Sequence, residues 1–371
     1  MLRVPIVALA SVAALLCPAA GAQLARQAGA RTPAQAATGA SAAPPAAADD
    51  AQAELQTGSR LTREGFLQDA IPHLLVARRQ GIAPYATGIN LAICYQGTGQ
   101  YQSAVEILRE VAASGRATVT VYNLLAQAYL GNRQQREAWQ SFLLAAAATP
   151  KDEKLYDFLA DACTDNGDYA LGLAIVNRGL RELPESARLH YERAVFLARL
   201  GSLEEARPEF DCAAELAPDS YIGYLAKVQK ALYDDDFAKA DTILHRAIRT
   251  GHSDFRMLSL LGTVLLNEGV RPGEPRFAEA QAALEKSAQE RPNYSATQIA
   301  LGKVYLIENQ PRQAIEHLEI GRRLEPDNPA VYAALASAWE KLGDREKAVA
   351  MRKQIGRLLA QKAASGASAK H

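Results

Sequence analysis

The sequence predicts an all-α protein, an α-α superhelix of nine antiparallel helix pairs. Small residues recur at 34-residue steps, a second small residue follows each of the first six by 12 positions, and turn-forming residues separate the segments. The first column holds Gly58, Ala92, Ala126, Ala160, Ala194, Val228 and Gly262, and the second begins with Ala70, Ala104, Ala138, Gly172, Ala206 and Ala240. Six extra residues, within Val270 to Arg276, precede Ala280, Gly302, Ala314, Ala336 and Ala348.

Glycine and proline divide each unit into two helices. A glycine follows the first column by seven positions in most units, as at Gly65, Gly99 and Gly167, and prolines such as Pro150 close the units. Apolar residues recur three or four positions apart in both halves, which is helical periodicity. We therefore expect the small columns where two paired helices cross, so that Ala206→Phe would cost about 1 to 3 kcal/mol by overpacking.

The repeat resembles the tetratricopeptide repeat (TPR) family. The residues that carry the resemblance are clearest in one unit, at Tyr122, Leu125, Ala126, Tyr129, Ala138, Phe142, Ala145 and Pro150. It covers nine units: 51–84, 85–118, 119–152, 153–186, 187–220, 221–254, 255–294, 295–328 and 329–362. The resemblance implies a right-handed solenoid whose concave groove is lined by first helices and binds proteins or peptides. Glu54 in the first unit, and Val228 with Asp235 in another, depart from the pattern and predict local distortion.

The two ends of the chain differ from the repeats. Arg3, an apolar run from Val4 to Leu16 and the small residues before Gln23 predict a signal peptide over 1–22, cleaved before Gln23. The run is too short to span a bilayer, and the large residue Leu16 before Cys17 disfavours a lipoprotein anchor there. Ala and Pro dominate 23–50, which predicts a flexible linker, and 363–371 predicts a disordered tail. The expected location is periplasmic or secreted, with no integral membrane span after cleavage.

Composition excludes several classes of function. Lys plus Arg equals Asp plus Glu, 41 of each, which disfavours a nucleic-acid partner. Cys94, Cys163 and Cys212 form no C-x-x-C pair and are expected to be buried hydrophobic residues. The six histidines share no ligand spacing, and no common catalytic motif is present. The sequence thus predicts no enzyme, catalytic residue, cofactor or metal.

Three aspartates form the most distinctive candidate site. Asp157, Asp161 and Asp165, here called the acidic strip, follow each other at four-residue spacing on one helix face. One hypothesis is a recognition site for a partner segment carrying Lys or Arg. The alternative is an ion pair between Asp165 and Arg199 of the next unit, with Asp157 and Asp161 simply solvated. The partner-binding set expected around the strip is Asn123, Gln127, Arg188, Tyr191 and Arg199.

Apolar residues replace charges in later units: Leu225, Leu232, Tyr233, Leu260, Leu266, Ile299, Leu306 and Ile307. They would form an apolar part of the groove if exposed, with Tyr233 as a contact residue, or be buried between units. The last helix, Asp344 to Lys362, carries basic residues typical of a solubilising cap, and the inserted loop is either a contact point or neutral drift.

The sequence thus favours an exported scaffold for protein–protein interaction, such as an envelope assembly or secretion accessory factor. The alternative is an enzyme or a protein that binds a small molecule or glycan in the groove. The partner's identity and the oligomeric state stay open.

Overall fold

The computed structural model describes the backbone of residues 45–368 and the side chains of residues 49–361. Within that range the chain forms eighteen α-helices and no strand, which confirms the predicted all-α class. The predicted signal peptide, residues 23–44 of the predicted linker and residues 369–371 lie outside the described residues. No helix in the described range is long and apolar enough to cross a membrane.

The helices fall into two compact units, divided between Ser202 and Leu203. The first unit contains α1 (Pro45–Glu64), α2 (Leu67–Arg79), α3 (Pro84–Gly97), α4 (Tyr101–Val111), α5 (Val119–Gly131), α6 (Gln135–Ala148), α7 (Glu153–Asn166), α8 (Tyr169–Glu182) and α9 (Ala187–Arg199). A short π-helical turn, Ala112–Arg116, follows α4.

The second unit continues the alternation of first and second helices. It contains α10 (Leu203–Leu216), α11 (Tyr221–Tyr233), α12 (Phe237–Arg249), α13 (Phe255–Asn267), α14 (Pro275–Glu290), α15 (Ser295–Ile307), α16 (Pro311–Leu324), α17 (Pro329–Lys341) and α18 (Arg345–Ser368). Each helix from α10 to α18 packs against the next along the chain, as do those from α1 to α6 and from α7 to α9. Helices α6 and α7 meet through Phe142 and Tyr156, whose ring centroids lie 5.9 Å apart.

The terminal helices are longer than the sequence pattern predicts. Helix α1 begins at Pro45, within the predicted linker 23–50, and α18 ends at Ser368, within the predicted tail 363–371. Proline suits the first turn of a helix, and the alanines after Pro45 and around residue 363 have the highest helix propensity. An alanine-rich segment suits both a flexible linker and a helix, and the predicted bounds gave too little weight to the helix propensity of alanine.

The small columns lie where paired helices cross, as predicted. A Cβ added at Gly262 would lie 2.4 Å from Leu284 Cγ and 2.9 Å from the backbone oxygen of Ala280. The same addition at Gly302 would lie 2.4 Å from Leu318 Cγ. Glycine therefore allows the two backbones of these pairs to approach closely.

The turn between paired helices has a left-handed residue in every unit. Glycine provides it six times, and Arg133, Asp235 and Asn309 provide it elsewhere, with φ between 54° and 62°. Asp and Asn tolerate this conformation better than most residues. The distortion expected at Asp235 is therefore not seen in the turn, and Val228 is fully buried in the small column.

The core follows a third column, four positions after the second small residue. In eight of the nine units its large apolar side chain is at most 1% exposed: Leu74, Leu108, Phe142, Val176, Phe210, Leu244, Leu284 and Leu318. In α18 the position holds Arg352, which is exposed and pairs with Glu340. A charge in the core column is consistent with a terminal pair that has no following neighbour to cover it.

Two of the three described cysteines are buried, as predicted, and Cys212 is half-buried. Burial raises the pKa of the Cys94 and Cys163 thiols. The inserted loop is held to the helices around it, because Arg276 lies 2.7 Å from Asp241 on α12 and 2.6 Å from Glu268 after α13.

Candidate protein-binding face

The candidate face lies on three first helices of the first unit, α5, α7 and α9, of which neighbouring ones are in contact. On α5, Gln127 Nε2 donates a hydrogen bond of 3.1 Å to Asn123 Oδ1, one helical turn away. Both side chains are half-buried. We call Asn123, Gln127 and the acidic strip on α7 the polar face.

Helix α7 holds the acidic strip in one orientation. Asp152 caps its N-terminus by accepting a hydrogen bond of 3.2 Å from Lys154 N, and Gly167 ends it with a left-handed φ of 74°. The opposite side of the helix carries the fully or almost fully buried core residues Leu155, Tyr156, Leu159, Ala160 and Cys163. Because the core fixes the rotation of α7, the three aspartates point away from it.

Arg188 of α9 holds two of the three aspartates. Its Nε atom lies 2.6 Å from Asp157 Oδ1 and 3.1 Å from Glu192 Oε1, and its Nη2 atom lies 3.7 Å from Asp161 Oδ1. Burial works against the charged guanidinium, but the carboxylates of Glu192, Asp157 and Asp161 outweigh it and raise the pKa of Arg188. This part of the strip is an ion-pair element between two repeats.

Asp165 stands apart from this network. It is exposed, and no cation lies within ion-pair distance of it in the described part of the chain. Displacement of water by the surrounding protein, with the negative charge of Asp161, raises the pKa of Asp165 to about 7. The expected pair between Asp165 and Arg199 is not formed, and the Arg199 guanidinium lies 5.6 Å from the centre of the Tyr169 ring.

Two further residues behave differently from the sequence expectation. Tyr191 is only 5% exposed, so it is part of the core of α9 and not the predicted contact residue. Glu192, which the prediction missed, is equally buried and completes the group around Arg188. The four-residue spacing from Arg188 to Glu192 on one helix is the sequence pattern that could have predicted this ion pair.

The carboxylate oxygens of Asp157, Asp161 and Glu192 lie within 4.8 Å of one another, close enough to share a cation. The Arg188 guanidinium already provides a positive charge among them. We therefore assign these carboxylates to the ion-pair element.

Tyr233 belongs to the second unit, where its ring stacks on Phe210 with 5.8 Å between centroids. Most of the apolar set around it is covered: Leu225, Leu232 and Ile299 are buried, and Leu260, Leu266 and Leu306 are half-buried. Ile307 is the exposed member, at 44%. Burial between neighbouring helices, the alternative left by the sequence, therefore describes this region better than an apolar groove.

The geometry defines a helical-repeat protein with polar side chains on adjacent first helices. Tetratricopeptide repeat family models match residues 89–153, 159–221 and 273–338, which together make up about half of the chain. The chain belongs to the TPR family, whose fold is typically a non-catalytic scaffold for protein–protein interaction.

Curated relatives are distant. The cytochrome c-type biogenesis protein CcmH of Escherichia coli K12 is 24% identical over 268 residues, which are 70% of this chain and 62% of the relative. The Shigella flexneri protein of the same name gives the same values. The chain thus spans less than two thirds of the length of these relatives.

Solved structures show the same fold. A tetratricopeptide repeat protein from Parabacteroides merdae matches with a TM-score of 0.52 and 18% identity, over 69% of this chain and 98% of that one. A chain of the APC/C hetero-tetramer Cut9–Hcn1 matches with a TM-score of 0.51 and 12% identity, over 84% and 75% of the two chains. At these identities the likeness concerns the fold alone.

Proposed function

We propose that the chain is an exported scaffold that binds a basic segment of a partner protein on the polar face. The observation that carries the proposal is the division of the acidic strip. Arg188 lies beside Asp157 and Asp161, whereas Asp165 is exposed and has no cation within ion-pair distance among the residues that the structure describes. A lysine or arginine of the partner would supply that cation, and an exposed pair of this kind contributes about 0.2 to 1 kcal/mol.

Other features of the polar face support a protein partner rather than a small molecule. Asn123 and Gln127 offer amide groups on the neighbouring helix, and the strip extends over more than two turns of α7, about 12 Å. A segment of several residues can use all of these groups at once, whereas a small ligand cannot.

Affinity capture tests the binding proposal. The mature chain is used as bait in an extract of the cells that make it, beside a strip variant with Asp157→Asn, Asp161→Asn and Asp165→Asn. The control changes Asp234, Asp235 and Asp236 to Asn, which removes the same charge at the turn after α11. We expect the strip variant to lose the captured protein and the turn variant to retain it.

Equal capture by the strip variant and the wild type, with both folded by circular dichroism, would contradict the proposal. The single change Asp165→Asn, compared with Asp235→Asn, then shows whether the exposed aspartate contributes apart from the Arg188 pairs. We expect a loss of about two- to fivefold in affinity for Asp165→Asn and none for Asp235→Asn.

Export and an envelope role are the finer parts of the proposal. They are supported by the predicted signal peptide over 1–22 and by the similarity to CcmH, a protein named for cytochrome c-type biogenesis. We propose that the chain holds an envelope or secreted protein during its assembly. Cell fractionation and N-terminal sequencing test this, since the mature chain should leave the cytoplasm and begin at Gln23. A full-length chain that stays in the cytoplasm would contradict export.

A further inference from the structure

Helix α7 also exposes an aromatic ring beside the acidic strip. Phe158 is 43% exposed, although its neighbours Tyr156 and Leu159 are fully buried and supply the core contacts of the helix. A single exposed apolar residue is common on protein surfaces. Phe158 differs because it lies between Asp157 and Asp161 on the polar face, beside the charges that we propose bind the partner.

The spacing of Phe158 and Asp165 defines a two-point surface. Seven residues separate them, which corresponds to about 10.5 Å along the helix and a rotation of about 20°. The two side chains therefore leave α7 on the same side, two turns apart. Asp161 lies between them, and its carboxylate already has the Arg188 guanidinium 3.7 Å away.

The end of α7 favours a cation near Asp165. Asp165 lies in the last turn of the helix, where the backbone carbonyl groups leave a partial negative charge. That turn contains no basic residue of its own. A cation bound there would interact with both the carboxylate and the helix end.

We infer that Phe158 and Asp165 together bind an amphipathic helix of the partner, with an apolar side chain on Phe158 and a lysine or arginine seven positions away on Asp165. A helix places residues i and i+7 on one side about 10.5 Å apart, which matches the two points. An extended segment places its same-side residues about 6.7 or 13.4 Å apart, and neither distance matches the spacing of about 10.5 Å between Phe158 and Asp165. This inference rests on the proposed function and specifies its partner.

A peptide selection tests the spacing without knowledge of the natural partner. Random 16-residue peptides displayed on phage are selected against the full mature chain and against its Phe158→Ala and Asp165→Asn variants. With the wild type, we expect enrichment of an apolar residue and a Lys or Arg seven positions apart. Phe158→Ala should abolish enrichment of the apolar residue, and Asp165→Asn should abolish that of the basic one.

Affinities of a selected peptide give the size of each contact. We expect Phe158→Ala to weaken binding about tenfold, as for a central aromatic contact, and Asp165→Asn about two- to fivefold. The matched controls are Leu143→Ala, which truncates a side chain of α6 with 41% exposure, and Asp235→Asn. Neither control should change the affinity.

The inference is overturned if no peptide is enriched, if the enriched pair has another spacing, or if both variants select the same peptides as the wild type. Affinity capture separates this failure from failure of the proposed function. A partner captured through the acidic strip but unaffected by Phe158→Ala leaves the scaffold proposal in place and removes the two-point helix site.

Discussion

The first helices of the two units differ in charge at the same place in the repeat. Asp161 in α7 and Lys303 in α15 occupy equivalent positions, since each directly follows the first small residue of its repeat, Ala160 or Gly302, yet their charges are opposite. Asp161 lies beside Arg188, whereas the pKa of Lys303 is lowered by burial alone. The columns that build the helix pairs thus leave the chemistry of this surface free to vary, and function must be argued from the surface residues.

The largest predicted effects test what the two units share. Phe142→Ala in the first unit and Leu318→Ala in the second empty the same core column, in which both side chains are fully buried. We expect losses of unfolding free energy of about 3 to 5 kcal/mol for Phe142→Ala and about 2 to 5 kcal/mol for Leu318→Ala.

The two tryptophans allow each unit to be followed separately during denaturation. Trp139 lies 5.1 Å from the Phe142 ring, and Trp339 belongs to the cluster around Leu318. Fluorescence is therefore measured in a Trp339→Phe background for the first unit and in a Trp139→Phe background for the second. A core change that leaves the midpoint of its own unit unaltered would contradict a common core column.

The next effect tests how the units differ. Arg188→Met removes the guanidinium from beside Asp157, Asp161 and the buried Glu192, and it should cost about 1 to 3 kcal/mol, since the arginine is partly exposed. The control is Lys230→Met in the second unit, whose more exposed pair with Asp211 should contribute about 0.2 to 1 kcal/mol. Equal losses in urea titrations would mean that the Arg188 group is an ordinary surface pair.

The fold follows from the sequence because its columns are local and repeated. A small residue at a helix crossing or a left-handed turn glycine has one physical reason, which recurs in each unit, so Gly262 and Gly167 are predictable from spacing alone. The ends are less predictable because no neighbour repeats there. Alanine before residue 51 suits both a linker and a helix, and the structure shows the helix from Pro45.

The candidate site is only partly predictable for a different reason. Spacing places the three aspartates on one side of α7, but the position of the Arg188 guanidinium depends on side-chain torsions and on competition among several carboxylates. Arg199 was an equally reasonable partner for Asp165 on sequence separation, yet it lies over Tyr169. Tyr191 shows the same limit, because its burial depends on how α9 rotates against its neighbours.

A smaller effect compares the turns of the two units. At Gly167 an added Cβ would meet no atom within 4 Å, so Gly167→Ala should cost only the left-handed conformation, about 1 to 2 kcal/mol. Asp235 has the same conformation with φ of 54°. Asp235→Gly removes the strain of the left-handed conformation but gives the unfolded chain more conformational freedom. The net change in unfolding free energy should therefore stay within about 0.5 kcal/mol. Thermal or urea unfolding checks both, and a stabilising Gly167→Ala would contradict the comparison.

The smallest effect isolates Asp165. Its folded pKa of about 7 exceeds the ordinary value of 3.8, so the unfolded chain ionises first as the pH rises. Wild-type stability should therefore fall between about pH 4 and pH 7 and change no further above that range on account of this group. Asp165→Asn removes a carboxylate that both the surrounding protein and the charge of Asp161 disfavour. It should be more stable than the wild type at pH 8 by at least about 0.2 to 0.5 kcal/mol, the size of the like-charge repulsion alone.

At pH 4.5 the two proteins should be nearly equal, because the Asp165 carboxyl is protonated in the folded wild type. An equal advantage of Asp165→Asn at both pH values in urea titrations would contradict the raised pKa.

Binding should depend on pH in the opposite direction from stability. Because a partner lysine favours the ionised carboxylate, the wild-type affinity for a basic peptide should rise from pH 6 to pH 8. The Asp165→Asn variant should lack that rise, because an amide cannot ionise to meet the cation. Loss of stability and gain of binding over one pH range would therefore identify Asp165 as a carboxylate that the fold holds at a cost and the partner neutralises.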